Sequence, residues 1–242
     1  MQNSFNADAD SLIAGSAAKF RQAAAAGRDT LDSAELGALL SGLAIGFKES
    51  AAPPAAGVRI SLNNTREFGM VLSAGLGGLD AEADESNYRK DRASVYAAAA
   101  LTDAEDFLRL FKRTLAYQKL ASLAKRGGLP LPDAQLKACF ARLLALASEY
   151  APGDPAAAFV LRALELDPVH VGDQLLVHRA RCEFGAPIAG RLRRPIHKID
   201  KLIHPASIGI IGVSAGSMNF GRIILRNLMG SGYSKERMTI IR

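Results

Sequence analysis

A short loop near the C-terminus carries the sharpest chemical signal in the sequence. Residues 208–213 form an apolar run of strand length, residues 214–219 are small and turn-prone, and an apolar helical stripe follows them. Small residues let the backbone approach a ligand, and the helix after them presents free N–H groups to an anion. The sequence therefore predicts a phosphate site, formed by Ser214, Gly216, Ser217, Asn219 and Arg222.

Two other interpretations of this loop are available. Residues 212–216 match the G-x-S-x-G pattern of a hydrolase nucleophile, but that chemistry needs an acid and then a histidine later in the chain. No histidine follows Gly216, which counts against a hydrolase. An ordinary turn between a strand and a helix of a parallel sheet stays open as the alternative.

A second candidate site consists of two carboxylates. Glu165 and Asp167 are two residues apart on a predicted strand, so both project from the same face. Oxygen ligands of this kind suit Mg²⁺, which would in turn hold phosphates. If residues 172–173 form a two-residue turn, His178 lies opposite Asp167 and Ala180 lies opposite Glu165. The alternative is a solvated face of an edge hairpin.

Three glycines form a weaker third candidate. Gly75, Gly77 and Gly78 follow a predicted strand, and this segment would either cradle a phosphate or serve as a flexible turn.

The elements that position these groups follow from apolar spacing. Residues 11–43 predict two helices, the second beginning at Asp32-Ser33, and residues 58–62 and 68–73 predict two strands. A strand at residues 97–101 precedes a helix with a capping box at Thr102 that runs to Leu120. A further helix begins at Asp133, and residues 160–167 and 174–181 predict a hairpin. This mixture indicates an α/β or α+β domain, followed by a separate strand–helix–strand unit.

Charge is distributed unevenly along the chain. The 242 residues carry a net charge of +6, of which residues 1–190 contribute 20 − 22 = −2 and residues 191–242 contribute 10 − 2 = +8. A basic segment suggests a polyanion: nucleic acid, an anionic lipid surface or a phosphate-rich cofactor. Nucleic acid is disfavoured because Phe220 and Tyr233 are the only aromatic residues of the segment.

The remaining composition excludes other classes. No apolar stretch approaches the ~20 residues of a membrane span, the N-terminus lacks the order of a signal peptide, and two cysteines cannot form a disulfide framework. We expect a cytoplasmic protein with no membrane partner.

Four stretches taken in order resemble one family. Residues 68–78 and 164–169 are similar to the C-terminal part of the ATP-grasp domain of NDP-forming acyl-CoA synthetases, the acetate- and succinyl-CoA synthetase-like ligases. Residues 204–214 and 219–228 are similar to the opening βαβ of that family's CoA-binding domain. The resemblance implies a shortened, nucleotide-binding ATP-grasp-like domain followed by the start of a Rossmann-like domain.

The resemblance also implies an activity and its partners. In this family an acid, CoA and NTP yield acyl-CoA, NDP and phosphate, so CoA and a small carboxylic acid are the expected ligands. The transiently phosphorylated histidine lies beyond the family's first CoA-domain repeat. We therefore expect no catalytic residue in this chain, which alone would be inactive and would act with the remaining CoA-ligase domains in cis or in trans.

The chain also departs from the family pattern. The nucleotide-binding lobe expected before Val58 is replaced by about 15 residues of linker, and Arg59 stands where the family has an acidic residue. The second metal carboxylate falls on His178 or on Arg179, and neither is a carboxylate. These departures count against ATP, ADP and Mg²⁺ as ligands. They favour an alternative function, a non-catalytic pseudo-ATP-grasp module that binds or regulates a CoA-ligase partner.

These observations predict four regions along the chain. They are a helical segment at residues 1–55, an ATP-grasp-like domain at 56–186, a basic linker at 187–204, and an incomplete CoA-binding βαβ at 205–242.

Overall fold

A computed structural model describes six parts of the chain, residues 2–50, 56–78, 90–152, 157–171, 175–187 and 198–241. The chain divides into two compact units, Met1–Ala189 and Gly190–Arg242. The predicted turn at residues 172–173 and most of the predicted linker lie outside the described residues.

The first unit contains six helices and seven strands within the described residues. The helices are α1 Gln2–Ala25, α2 Ser33–Gly42, α3 Lys90–Ala93, α4 Ala104–Phe111, α5 Leu115–Arg126 and α6 Asp133–Glu149. The strands are β1 Ile45–Phe47, β2 Ala56–Thr65, β3 Gly69–Gly78, β4 Val95–Ala98, β5 Val160–Val171, β6 Leu175–Val177 and β7 Ala180–Gly185.

The seven strands form one mixed sheet in the order β1-β6-β5-β2-β3-β4, and β7 also pairs with β5. The β1–β6 pair is parallel, whereas the other pairs are antiparallel. The long strand β5 therefore has β2 along one edge and both β6 and β7 along the other. The α/β fold class predicted from the sequence is confirmed.

Alternation along the strands separates an apolar face from a polar face. Ile60, Leu62, Leu72, Leu164 and Leu166 are almost fully buried on one side, beneath α5 and its neighbours. Side chains one residue out of phase project from the opposite face because successive residues of a strand alternate. The helices cover the apolar face, and the polar face carries the charged side chains described below.

Helix α2 begins where the sequence predicts, with a capping box. The Asp32 carboxylate accepts a hydrogen bond from Glu35 N, and the Glu35 carboxylate accepts one from Asp32 N, both at 2.9 Å. Arg28 also donates two hydrogen bonds to Glu35, at 2.7 and 2.9 Å. Glu35 is 3% exposed, so its charge is held in the protein by these donors.

Three predicted boundaries are wrong by small amounts. Strand β4 ends at Ala98, and Ala99–Leu101 is a 3₁₀ turn. The N-cap of α4 is Asp103, which accepts from Asp106 N, so the capping residue is Asp103 and not the predicted Thr102. The single helix predicted through Leu120 is two helices, because Thr114 caps a new helix and accepts from Tyr117 N.

The second unit is the predicted strand–helix–strand. Its elements are α7 Ile199–Ile203, β8 Ile208–Ile211, α8 Phe220–Gly230, a 3₁₀ turn Lys235–Arg237 and β9 Met238–Ile241. Strands β8 and β9 are parallel, with Ile208 opposite Met238 and Ile211 opposite Ile241. The connection between them therefore crosses over through α8.

Both cysteines are buried, Cys139 in α6 and Cys182 in β7. Burial raises the pKa of each thiol to about 12, so neither is a nucleophile at neutral pH. In the part of the chain that the structure describes, none of the helices is both long and apolar enough to cross a membrane.

Candidate functional site

The polar face of the first unit's sheet carries a row of cross-strand neighbours. In order across β4, β3, β2, β5 and β7, the directly paired residues are Tyr96, Ser73, Ser61, Glu165 and Arg181. Ser61 and Ser73 share a hydrogen bond of 2.7 Å between their hydroxyls. The row thus runs from an exposed aromatic ring, through hydroxyls, to opposite charges.

A charged cluster lies beside this row and is centred on Asp167. Arg59 Nη2 donates to Asp167 Oδ2 at 2.9 Å, and Gly78 N donates to Asp167 Oδ1 at 2.8 Å. A second guanidinium, from Arg179, lies 3.8 Å from Oδ2. The Asp167 side chain is only 14% exposed, whereas the arginines are 50% and 58% exposed. The carboxylate is therefore the inner member of the cluster.

The three glycines continue strand β3, so the flexible-turn interpretation is wrong. Gly75 pairs with Arg59, and Gly77 pairs with Gly57 on β2. A Cβ on Gly77 would lie 2.5 Å from Asp167 Oδ1 and 2.6 Å from Arg59 N. At Gly75 it would lie 2.8 Å from Ser94 Cβ. These glycines leave the space that Asp167 and Ser94 occupy, and their role in holding phosphate stays a prediction.

The predicted register of the second hairpin is wrong by one residue. The structure places Arg181 opposite Glu165 and Ala180 opposite Leu166, instead of Ala180 opposite Glu165. Asp167 N donates to Arg179 O at 3.0 Å, so Arg179 rather than His178 lies beside Asp167. The difference begins at the start of β6, where Val171 pairs with Leu175 and not with residue 174 as a two-residue turn would require. The same offset continues along β7.

Glu165 and Asp167 project from the same face, as the sequence predicts, and their role as metal ligands stays a prediction. The chemistry of the donor set does not suit Mg²⁺, because a guanidinium already binds Asp167 and another lies against it. Among the residues that the structure describes, no three His, Cys, Asp or Glu side chains converge in a way that could hold a metal.

The predicted phosphate loop of the second unit is ordered by its own side chains. Asn219 caps α8 by accepting from Arg222 N at 3.0 Å, and its amide donates to Gly212 O at 2.8 Å. Ser214 Oγ accepts from Ser217 N at 3.1 Å. Arg222 reaches back over the loop and donates to Ala215 O at 3.1 Å. Hydrogen bonds therefore join four of the five predicted residues in two pairs, Ser214 with Ser217 and Asn219 with Arg222, and Gly216 lies between Ser214 and Ser217 in the loop.

Two glycines, Gly212 and Gly221, allow the loop backbone to pack closely against the first turn of α8. Gly212 has φ +73°, a conformation that favours glycine. Gly221 is buried in the first turn of α8, where a Cβ would lie 2.8 Å from Gly212 O. Gly216, by contrast, has open space around it. The loop backbone thus stays in close contact with the start of α8 and leaves Gly216 accessible.

Solved structures similar to this chain include proteins from two organisms. One is the dinucleotide forming acetyl-coenzyme A synthetase 1 of Ca. Korarchaeum cryptofilum in complex with coenzyme A and Mg-AMPPCP, at 24% identity and a TM-score of 0.41. The apo form of the same synthetase matches at 22% identity and a TM-score of 0.40. A protein of Pyrococcus horikoshii matches at 18% identity and a TM-score of 0.41.

These matches cover part of each chain. They include 55%, 56% and 56% of this chain, and 55%, 57% and 51% of the respective structures. The chain thus spans about half the length of the structures it matches. Neither a family model nor a curated protein matches the sequence.

Sequence reasoning named Arg59 and Arg179 only as departures from the family pattern and gave neither a role in a site. The sequence does contain a signal for Arg59. It lies two residues from Ser61 on an alternating strand, so both side chains project from the same face as Glu165. The contact of Arg179 with Asp167 depends on the pairing of Val171 with Leu175, which differs by one residue from the pairing that a two-residue turn at residues 172–173 gives.

Proposed function

We propose that this chain is the N-terminal portion of an NDP-forming acyl-CoA synthetase-like protein and that its second unit binds the phosphates of CoA. In this proposal Ser214, Gly216, Ser217, Asn219 and Arg222 surround the phosphates, and the first unit retains a degenerate nucleotide site. CoA would supply the thiol that accepts the acyl group.

The close packing of the loop against α8 carries this proposal. Gly221 brings the loop backbone against the start of the helix, and Asn219 satisfies one helical N–H while the positive end of the helix faces the loop. The net charge of +8 over residues 191–242 favours an anionic ligand in addition. The loop packing, the helix N-terminus and the local charge therefore all favour a phosphate-rich ligand.

Binding of CoA should raise the Tm of the full chain. A ligand at about 100 times its Kd adds about 2.7 kcal/mol to the stability of the state that binds it. We expect Gly216→Val to abolish the shift, because a side chain there has room in the fold but covers the loop. Differential scanning fluorimetry with millimolar CoA measures this.

Gly230→Val is the matched control for this experiment. Gly230 also has open space around it, but it lies at the other end of α8. The control should keep the full CoA-dependent shift. If wild-type protein shows no shift, or if both variants behave alike, the loop is not the CoA site.

The Asp167 cluster favours a second candidate, a non-catalytic pseudo-ATP-grasp module that binds or regulates a CoA-ligase partner. A carboxylate that would be expected to hold Mg²⁺ is bound to Arg59 instead. Arginine at this position opposes a divalent cation by charge repulsion. This candidate keeps the CoA site and loses ATP turnover.

An acyl-hydroxamate assay separates the two candidates. The chain, together with the remaining CoA-ligase domains that the ligase candidate requires, is incubated with ATP, Mg²⁺, hydroxylamine and a panel of short carboxylic acids. The non-catalytic candidate predicts that product formation does not depend on ATP. Turnover that requires both ATP and an acid would reject that candidate and support the ligase.

A further inference from the structure

The arginine pair, Arg59 and Arg179, points to a ligand on the polar face of the first unit. Both guanidinium groups approach the same carboxylate oxygen, Asp167 Oδ2, at 2.9 and 3.8 Å. Each guanidinium has five N–H donors, and Asp167 accepts one hydrogen bond from Arg59. Since each arginine is about half exposed, part of this donor capacity is open to solvent.

The pair is held in place by the largely buried carboxylate of Asp167. Asp167 Oδ1 accepts from the backbone at Gly78, and the carboxylate fits into the space left by the missing side chain of Gly77. A carboxylate fixed in this way aligns the guanidinium groups before any ligand arrives. Pre-alignment lowers the entropy that binding would otherwise cost.

The chemistry of this arrangement fits an oxyanion better than a cation. Both Asp167 oxygens already have donors, so a metal ion would have to displace a guanidinium. Arg59, Arg179 and Asp167 together carry a net charge of +1, and the neighbouring Glu165 has Arg181 as its cross-strand partner. Planar guanidinium groups match the oxygens of phosphate, and Ser94 lies over Gly75, the cross-strand partner of Arg59.

We propose that the arginine pair binds a phosphate group directly, without a divalent cation. The ligand is a phosphate ester or a free polyphosphate. This inference rests on the proposed function, because it assigns a ligand to the degenerate nucleotide site. It differs from that proposal in requiring no metal and no turnover.

Isothermal titration calorimetry of the full chain with pyrophosphate tests the inference. Pyrophosphate should bind in EDTA and bind more weakly in excess Mg²⁺, because the cation neutralises the ligand and is repelled by the arginines. Binding that appears only with Mg²⁺ would overturn the inference and support Glu165 and Asp167 as metal ligands. Absence of binding in both buffers would also overturn it.

Variants locate the binding on the arginine pair. Arg59→Gln and Arg179→Gln should each weaken pyrophosphate binding by about tenfold, the effect of losing one charge-assisted hydrogen bond. Arg179→Gln leaves the Arg59–Asp167 bond in place, so it tests the site without breaking the anchor. Arg113→Gln removes an exposed charge from the turn between α4 and α5 and should have no effect. Equal affinity in all three variants would overturn the inference.

Further ligands define the chemical class. ATP that binds more tightly than pyrophosphate supports a phosphate ester, and equal affinity supports a free polyphosphate. Acetate that displaces pyrophosphate at equal concentration would overturn the assignment to phosphate. Gly216→Val should leave pyrophosphate binding unchanged, so failure of the CoA site and failure of this site are distinguishable.

Discussion

Gly77→Ala is expected to lower the free energy of unfolding of the first unit by about 3 kcal/mol, the range of overpacking and backbone displacement in a packed interior. The added methyl group would lie 2.6 Å from Arg59 N and 2.7 Å from Val58 C. These are backbone atoms of the adjacent strand β2, so they cannot move aside without disturbing the sheet. Urea denaturation followed by circular dichroism measures the loss.

Gly15→Ala is the matched control for this prediction. Gly15 lies in helix α1 and has open space around it. The same chemical change should stabilise the protein there by up to about 1 kcal/mol, because alanine has the higher helix propensity. A Gly77→Ala variant that loses less than about 1 kcal/mol would show that β2 and β3 separate easily at this point.

The second large effect is expected at the cap of helix α2. The hydrogen bonds from Arg28 hold the pKa of the Glu35 carboxyl below its usual value of 4.5, although burial acts in the opposite direction. A lowered pKa in the folded state gives stability that is present above the unfolded pKa and is lost as pH falls through the folded pKa. The protein should therefore lose stability below about pH 4.5.

Glu35→Gln tests the contribution of this carboxylate. The variant should be less stable by about 2 kcal/mol at pH 7, where the charged hydrogen bonds are complete. Below pH 4.5 the difference from the wild type should shrink. Urea denaturation at pH 7 and pH 3.5 measures both values. Glu67→Gln, at an exposed position, is the control, and a Glu35 difference that does not change with pH would contradict the mechanism.

Local patterns predict the elements that bury one face. The alternation of Val58, Ile60 and Leu62 identifies β2, and Asp32 with Glu35 identifies the start of α2, because each pattern is decided by neighbours in the chain. The mixed α/β class follows from such elements. Pairing between distant strands is not encoded in this way.

The site depends on contacts that local patterns do not contain. The glycines after residue 74 have the composition of a turn, yet they remain in β3 because Asp167 and Ser94 occupy the space beside them. Val171 pairs with Leu175, one residue beyond the pairing of a two-residue turn, and this offset places Arg179, instead of His178, beside Asp167. The first difference arises from tertiary packing, which overrides the local preference, and the second arises from the length of the connection between the two strands.

Asp167 connects three separate parts of the first unit. Its carboxylate binds a side chain of β2 and the last amide of β3, while its own amide binds the segment between β6 and β7. A ligand that pulls on either arginine would therefore change the strain at the end of β3. The hydrogen-exchange rate of the Gly78 amide would report that change directly, which makes a single backbone proton a sensor for occupancy of the polar face.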